Sequence, residues 1–199
     1  MTLESGYAVD RRAAQQAVRD LLEAFHIDLD ERGMGATPGR VVSMLEEMWE
    51  GEFVDDEAII ESFGKTFPCS SHDMVIMKDI EAFSTCEHHL ALMYDMKVSV
   101  AYIPDGCVIG LSKIARIVDI VCRRLQLQER IGFEIANILQ AIVGADVCVR
   151  IEASHSCMTA RGIKSAGAKT VTFTRRGAFS RDGTNTNPYF KEFMAALGG

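Results

Sequence analysis

Apolar residues recur at helical spacing twice near the start of the chain. Ala14, Ala17, Val18, Leu21, Leu22 and Phe25 form a stripe on the charged segment 8–26, predicting a helix there with Asp10 as its candidate cap. After Gly33 and Gly35 the Thr37-Pro38 pair predicts a second helix, a hydroxyl cap followed by proline in the first turn. Its inward face is Val41, Val42, Leu45, Met48 and Trp49, and Gly51 is its stop. A short third helix falls around 55–63. From Asp73 the period changes to two. Residues 74–77 and 80–83 read as strand, and Val98, Val100 and Tyr102 alternate with Lys97, Ser99 and Ala101 up to a Pro104-Asp105-Gly106 turn. Two helices follow. One is capped by Ser112 with Ile114, Ile117, Val118 and Val121 inward; the other runs from Gln128, with Ile131, Ile135, Ile138, Leu139 and Ile142, to Gly144. The next strand carries Val147, Val149, Ile151 and Ala153 on one parity, which continues to His155 and Cys157 and would place both on the core-facing side. Val171 and Phe173 mark a partner strand, 183–187 a polar loop, and Asn187-Pro188 a final helix.

This order predicts an α+β domain with antiparallel pairing: an N-terminal helical layer over 1–65, then 66–199 as the body of one cooperative unit without internal repeats. The chain has 199 residues, 48% apolar and 25% charged, which suits such a domain. Neither a span-length apolar run nor a basic-flanked apolar N-terminus is present, so the expected location is the cytoplasm and no membrane partner is expected. A net charge of −7 argues against a general nucleic-acid binder. The six cysteines, spread through a chain of this size, read as reduced thiols, with Cys122 and Cys148 as small core residues.

Only Cys86 and Cys157 have histidines at ligand spacing. Cys86-Glu87-His88-His89 and the distant His155-Ser156-Cys157 together offer thiolate and imidazole, the donors zinc favours. Cys86 and His89 reach one ion from a helical turn or a tight loop, because a straight strand points them to opposite faces. With Cys86, His89 and Cys157 alone, the fourth position stays open, as in catalytic zinc; with His88 or His155 added, the site closes and is structural. Spacing leaves that choice open. Ser112, Lys113 and Arg116 at a helix start form a candidate anion site, and Arg161 follows Cys157 by four residues. Solvated helix-end charge explains the same residues. Gln128 and Glu129 open the next helix, either as a dipole-favoured carboxylate or as acceptors for the N–H edge of guanine. Arg123 and Arg124 read as ordinary charges at a helix C-terminus.

The segments DIEAFSTCEHHL, VAYIPDGCVIGLSKIARIVD, RRLQLQERI and EASHSCMTARGIK together resemble the GTP cyclohydrolase I family, with likeness from Thr37 to Phe179. The resemblance implies a tunnelling fold: an antiparallel four-stranded sheet backed by two helices and preceded by N-terminal helices, assembling into a homodecamer with active sites between subunits. It implies conversion of GTP and water to formate and 7,8-dihydroneopterin triphosphate, the first step toward folate-type pterins. Cys86, His89 and Cys157 would then be zinc ligands, with water attack at C8 of the guanine. His155 and His88 would transfer protons, and Gln128 and Glu129 would hold the base. Ser112, Lys113, Arg116 and Arg161, with Arg40, would bind the triphosphate. Two departures stand out. The segment Ala91–Met96 lacks the family's proline and glycine turn and is one residue longer, and Ser43 replaces a common lysine. A structural zinc module and a purine- or pterin-binding relative with another chemistry are the competing readings.

Overall fold

The computed structural model describes residues 8–144, 146–180 and 187–198; most of the polar loop expected at 183–187 lies outside them. In chain order the elements are α1 (Arg11–Ala24), α2 (Thr37–Met48), a 3-10 turn (Glu50–Phe53), α3 (Asp56–Phe63), β1 (Thr66–Pro68), β2 (Val75–Cys86) and β3 (Ala91–Ile103). Then come β4 (Cys107–Ile109), α4 (Leu111–Cys122), β5 (Leu125–Gln126), α5 (Gln128–Val143), β6 (Asp146–His155), α6 (Ser156–Thr159), β7 (Thr170–Arg175), a second 3-10 turn and α7 (Pro188–Ala196). The architecture is α+β, as the periodicity implies.

The main sheet has the order β5-β2-β3-β6-β7. Its four longer strands pair antiparallel, and a fifth, the two-residue β5, runs parallel to the end of β2, with Thr85 opposite Leu125 and Cys86 opposite Gln126. That added strand extends the expected four-stranded sheet at the functional end. Strand parity sorts the core. Val98, Val100, Tyr102, Val147, Val149 and Ile151 share one buried cluster with Ile114, Ile117, Val118 and Val121 of α4 and Ile131, Ile135, Ile138 and Leu139 of α5. Ala101 and Cys148, of opposite parity, meet Phe179 and Phe193 in a second cluster, where α7 covers the other face. The largest apolar side chains thus leave water on both faces of the sheet, at about 1.5–3 kcal/mol for each full burial.

Two of the expected helix caps differ, those of α2 and α4. Asp10 caps α1 as predicted, accepting from the Ala13 N–H at 2.9 Å. However, α1 buries none of its stripe, leaving Leu21 and Phe25 58% and 73% exposed. Thr37 lies inside α2, whose cap is Ala36 without a side-chain bond. Ser112 is likewise inside α4, which is capped by Gly110; an extended Gly110 ends the β4 strand one residue before the helical turn begins. Gly51 is required where it stands: a Cβ there would lie 2.1 Å from the Ile120 carbonyl, at the C-terminal end of α4. The Ala91–Met96 segment is strand, not loop. It carries a bulge between Tyr94 and Lys97, with Asp95 at φ 50°.

Candidate metal centre

Four residues, Glu87 to Leu90, turn β2 into β3. Leu90 adopts φ 50°, and the His89 N–H reaches back to the Cys86 carbonyl at 3.3 Å. This is the tight turn the Cys86–His89 spacing demands. The second half of the site arrives differently from the parity argument. The strand β6 stops at His155, and Cys157 is carried by the helical turn α6. Ser156 Oγ donates to the Leu92 carbonyl at 2.8 Å, and the Tyr94 hydroxyl lies 3.1 Å from Thr159 Oγ1, so the turn is pinned onto β3. One ligand atom each from Cys86, His89 and Cys157 then falls within 4.8 Å of the others.

These three residues fit a soft divalent cation. Two thiols and an imidazole form the donor set of a borderline-soft ion. Burial, and then the neighbouring Cys86 thiol, push the Cys157 thiol above its ordinary value. A bound cation removes that penalty by favouring both thiolates. Cys86 is buried, Cys157 half-buried and His89 exposed, so one side of the triad faces solvent. The His88 and His89 rings stand edge-on with centroids 6.4 Å apart, and His88 is outside the ligand group.

His155 lies beside this centre rather than in it. Its Nε2 is 2.8 Å from Gln128 Oε1. Burial holds its imidazole below the ordinary value, while the Glu129 carboxylate pulls the other way. Glu129 itself is exposed on the first turn of α5, next to Gln128. Gln128, however, is 2% exposed, with its amide engaged by β6 and β7 as well as His155. Arg161 also joins the site, its guanidinium 3.3 Å from His89 Nε2.

The remaining candidates sit elsewhere. Ser112, Lys113 and Arg116 occupy the N-terminal half of α4, whereas the metal triad is next to β5, just beyond its C-terminal end. A helix of 12 residues is about 18 Å long. Lys113 Nζ donates to the Phe63 and Lys65 carbonyls at 3.1 and 2.8 Å, closing the end of α3. Arg116 is exposed and lines a cavity of about 300 Å³ with Glu50, Phe63, Asp119 and Ile120. Arg40 is exposed on α2, with no contact to the triad among the described residues. Ser43 accepts a 2.8 Å bond from Arg11 of α1.

Two supporting contacts escape a reading of periodicity. Arg130 clasps Glu87 through bonds of 2.6 and 3.1 Å, tying the Cys86–His89 turn to α5. Arg124 is not a plain helix-end charge. It binds Asp56 and Glu134 at 2.9 and 2.8 Å and the Gly51 and Val54 carbonyls at 3.2 and 2.8 Å, joining the N-terminal helices to α5. A Glu-Arg pair 43 positions apart leaves no local signal; the Arg in Gln-Glu-Arg beside two candidates was the available hint.

A family model described as GTP cyclohydrolase I matches residues 14–194. A GTP cyclohydrolase 1 of Clostridium botulinum (strain Loch Maree / Type A3) is 53% identical over 182 residues, covering 88% of this chain and 93% of the relative. A GTP cyclohydrolase 1 of Ruminiclostridium cellulolyticum is 49% identical over 187 residues, covering 90% and 96%. Among solved structures, the apo archaeosine synthase QueF-Like overlaps 52% of this chain and 93% of its own at TM-score 0.44 and 22% identity, too loosely to assign anything. With nearly the whole chain matched by one family model and about half its residues shared with such relatives, the chain belongs to the GTP cyclohydrolase I family.

Proposed function

We propose that this chain converts GTP and water to formate and 7,8-dihydroneopterin triphosphate, the entry reaction of folate-type pterin synthesis, in the cytoplasm. The observation that carries the reading is the convergence of Cys86, His89 and Cys157 beside His155 and Glu129. The family match over residues 14–194 supplies the substrate.

Cys86, His89 and Cys157 would hold zinc, which when bound acts as a Lewis acid and makes water nucleophilic near neutral pH. The chain's own residues do the rest. Glu129, exposed at the start of α5, accepts from the N–H edge of the guanine and aims its imidazole ring at the centre. His155 passes a proton to the purine nitrogen as the ring opens, and His88, exposed on the turn, serves the second transfer. Arg161 holds a phosphate at the mouth beside His89. C8 leaves as formate, the ribose rearranges, and the pterin ring closes.

Ser112, Lys113 and Arg116 complete the triphosphate site from a second copy of the chain. The support is distance: about 15 Å of α4 lies between Ser112 and the helix end beside β5, and about 9 Å between Arg116 and that end. A homodecamer of tunnelling-fold subunits, with residues 66–199 as the catalytic body and 1–65 as a helical layer, is the assembly this reading calls for. Arg40 belongs to the same phosphate half.

Incubating the protein with GTP tests the activity. Formate and dihydroneopterin fluorescence should rise together, stop with chelator and return with zinc. Unchanged GTP after incubation with the zinc-loaded protein would overturn the reading.

A further inference from the structure

The Gln128 amide has its direction fixed by its surroundings. Its Nε2 lies 3.1 Å from the Ile151 carbonyl, 3.1 Å from the Thr170 carbonyl and 3.2 Å from Thr172 Oγ1. Two of those partners are carbonyl oxygens, which only accept, so the amide's nitrogen must face them. Turning it over would set oxygen against oxygen in a side chain that is 2% exposed, leaving buried polar atoms unpaired. Oε1 is therefore the atom 2.8 Å from His155 Nε2. An amide oxygen has no proton to give, so His155 Nε2 is the donor. A neutral imidazole carries one proton, and with it held on Nε2 the lone pair is on Nδ1.

We propose, resting on the GTP-hydrolysing reading above, that Gln128 is a positioning residue rather than a guanine contact: it locks His155 as the Nε2–H tautomer, so that proton exchange with substrate runs through Nδ1. Once Nδ1 has taken a proton from water, the imidazolium gives that proton: the Nδ1–H bond breaks as the new N–H bond forms on the purine nitrogen. The Nε2–H stays on Gln128 Oε1 throughout, and Nδ1 regains a proton from water. The clamp is rigid because Gln128 is anchored to two strands at once: Ile151 belongs to β6, the strand that ends in His155, and Thr170 and Thr172 to β7. Ring orientation and tautomer are thereby set by the sheet, independently of substrate.

Neutron diffraction from deuterated crystals of the full-chain, zinc-loaded protein, above the pH where an ordinary imidazole titrates, reads the tautomer without turnover. Deuterium on His155 Nε2 is expected; an Nε2 without deuterium overturns the proposal, whatever the protein does to GTP. The kinetic arm uses Gln128→Met. Loss of a partner that orients a reacting histidine should lower kcat about 10–100-fold, with a smaller change in KM for GTP. A KM change larger than the kcat loss marks a direct base contact and overturns the proposal. Should Gln128→Met fail to fold, the tautomer of the parent protein decides alone.

Discussion

Cys157 is held half-buried against Cys86, its thiol pushed up by burial and by that neighbour. Such a thiol gains most from a cation and contributes little as packing, since it lies at the edge of the main cluster rather than inside it. If the triad holds zinc as proposed, Cys157→Ser should drop bound zinc from one per chain to near none and abolish formate release. Its unfolding free energy should fall by less than about 2 kcal/mol. Metal analysis with circular dichroism checks this; a collapsed fold would instead mark a structural site. Cys122 and Cys148 behave oppositely. Both are buried, and desolvation pushes the Cys148 thiol up to about 12 and the Cys122 thiol higher still, as befits core residues. At this scale the chemistry was legible because ligand-type residues in short runs are rare. The Gln128–His155 contact was not, because it links positions 27 apart through side chains alone.

Among elements, parity predicted well wherever a strand continued and failed where one ended. Val147, Val149, Ile151 and Ala153 face one way as expected, yet β6 stops at His155 and a helical turn carries Cys157. Alternation cannot announce its own end. The stop is set by Ser156 bonding to the Leu92 carbonyl, a contact 64 positions away. The amphipathic stripe of α1 misleads for a related reason: periodicity shows that a face is apolar, not what covers it, and within this chain little does. Arg124 shows the same limit for charge. Its side chain is 13% exposed and divides its donors between two carboxylates and two carbonyls of different elements. Arg124→Met should cost about 3 kcal/mol, because it leaves the Glu134 carboxylate, itself 19% exposed, without its cation. Urea unfolding of the variant measures it, and a change below about 0.5 kcal/mol, the level of an ordinary surface charge, would contradict that account.

At the scale of the whole molecule, the site in the proposed reading is divided between two copies, because within one chain part of α4 lies between Ser112, Lys113 and Arg116 and the metal triad. In that reading the metal half comprises Cys86, His89, Cys157, His155, Glu129 and Arg161, and the phosphate half Ser112, Lys113 and Arg116. The sequence motifs offered candidates for both halves but not their separation, because the length of helix between them becomes a distance only once β5 pairs beside Cys86. The account's central claim is that GTP is handled by the metal half of one copy and the phosphate half of another. Co-expressing two separately inactive variants, His155→Asn and Arg116→Glu, tests it. Random co-assembly places an intact metal half against an intact phosphate half in about a quarter of the sites. Purified mixed assemblies should therefore regain about a quarter of the parent's formate release per site. If each site is built within one chain, mixed assemblies regain none, and that result would contradict the account.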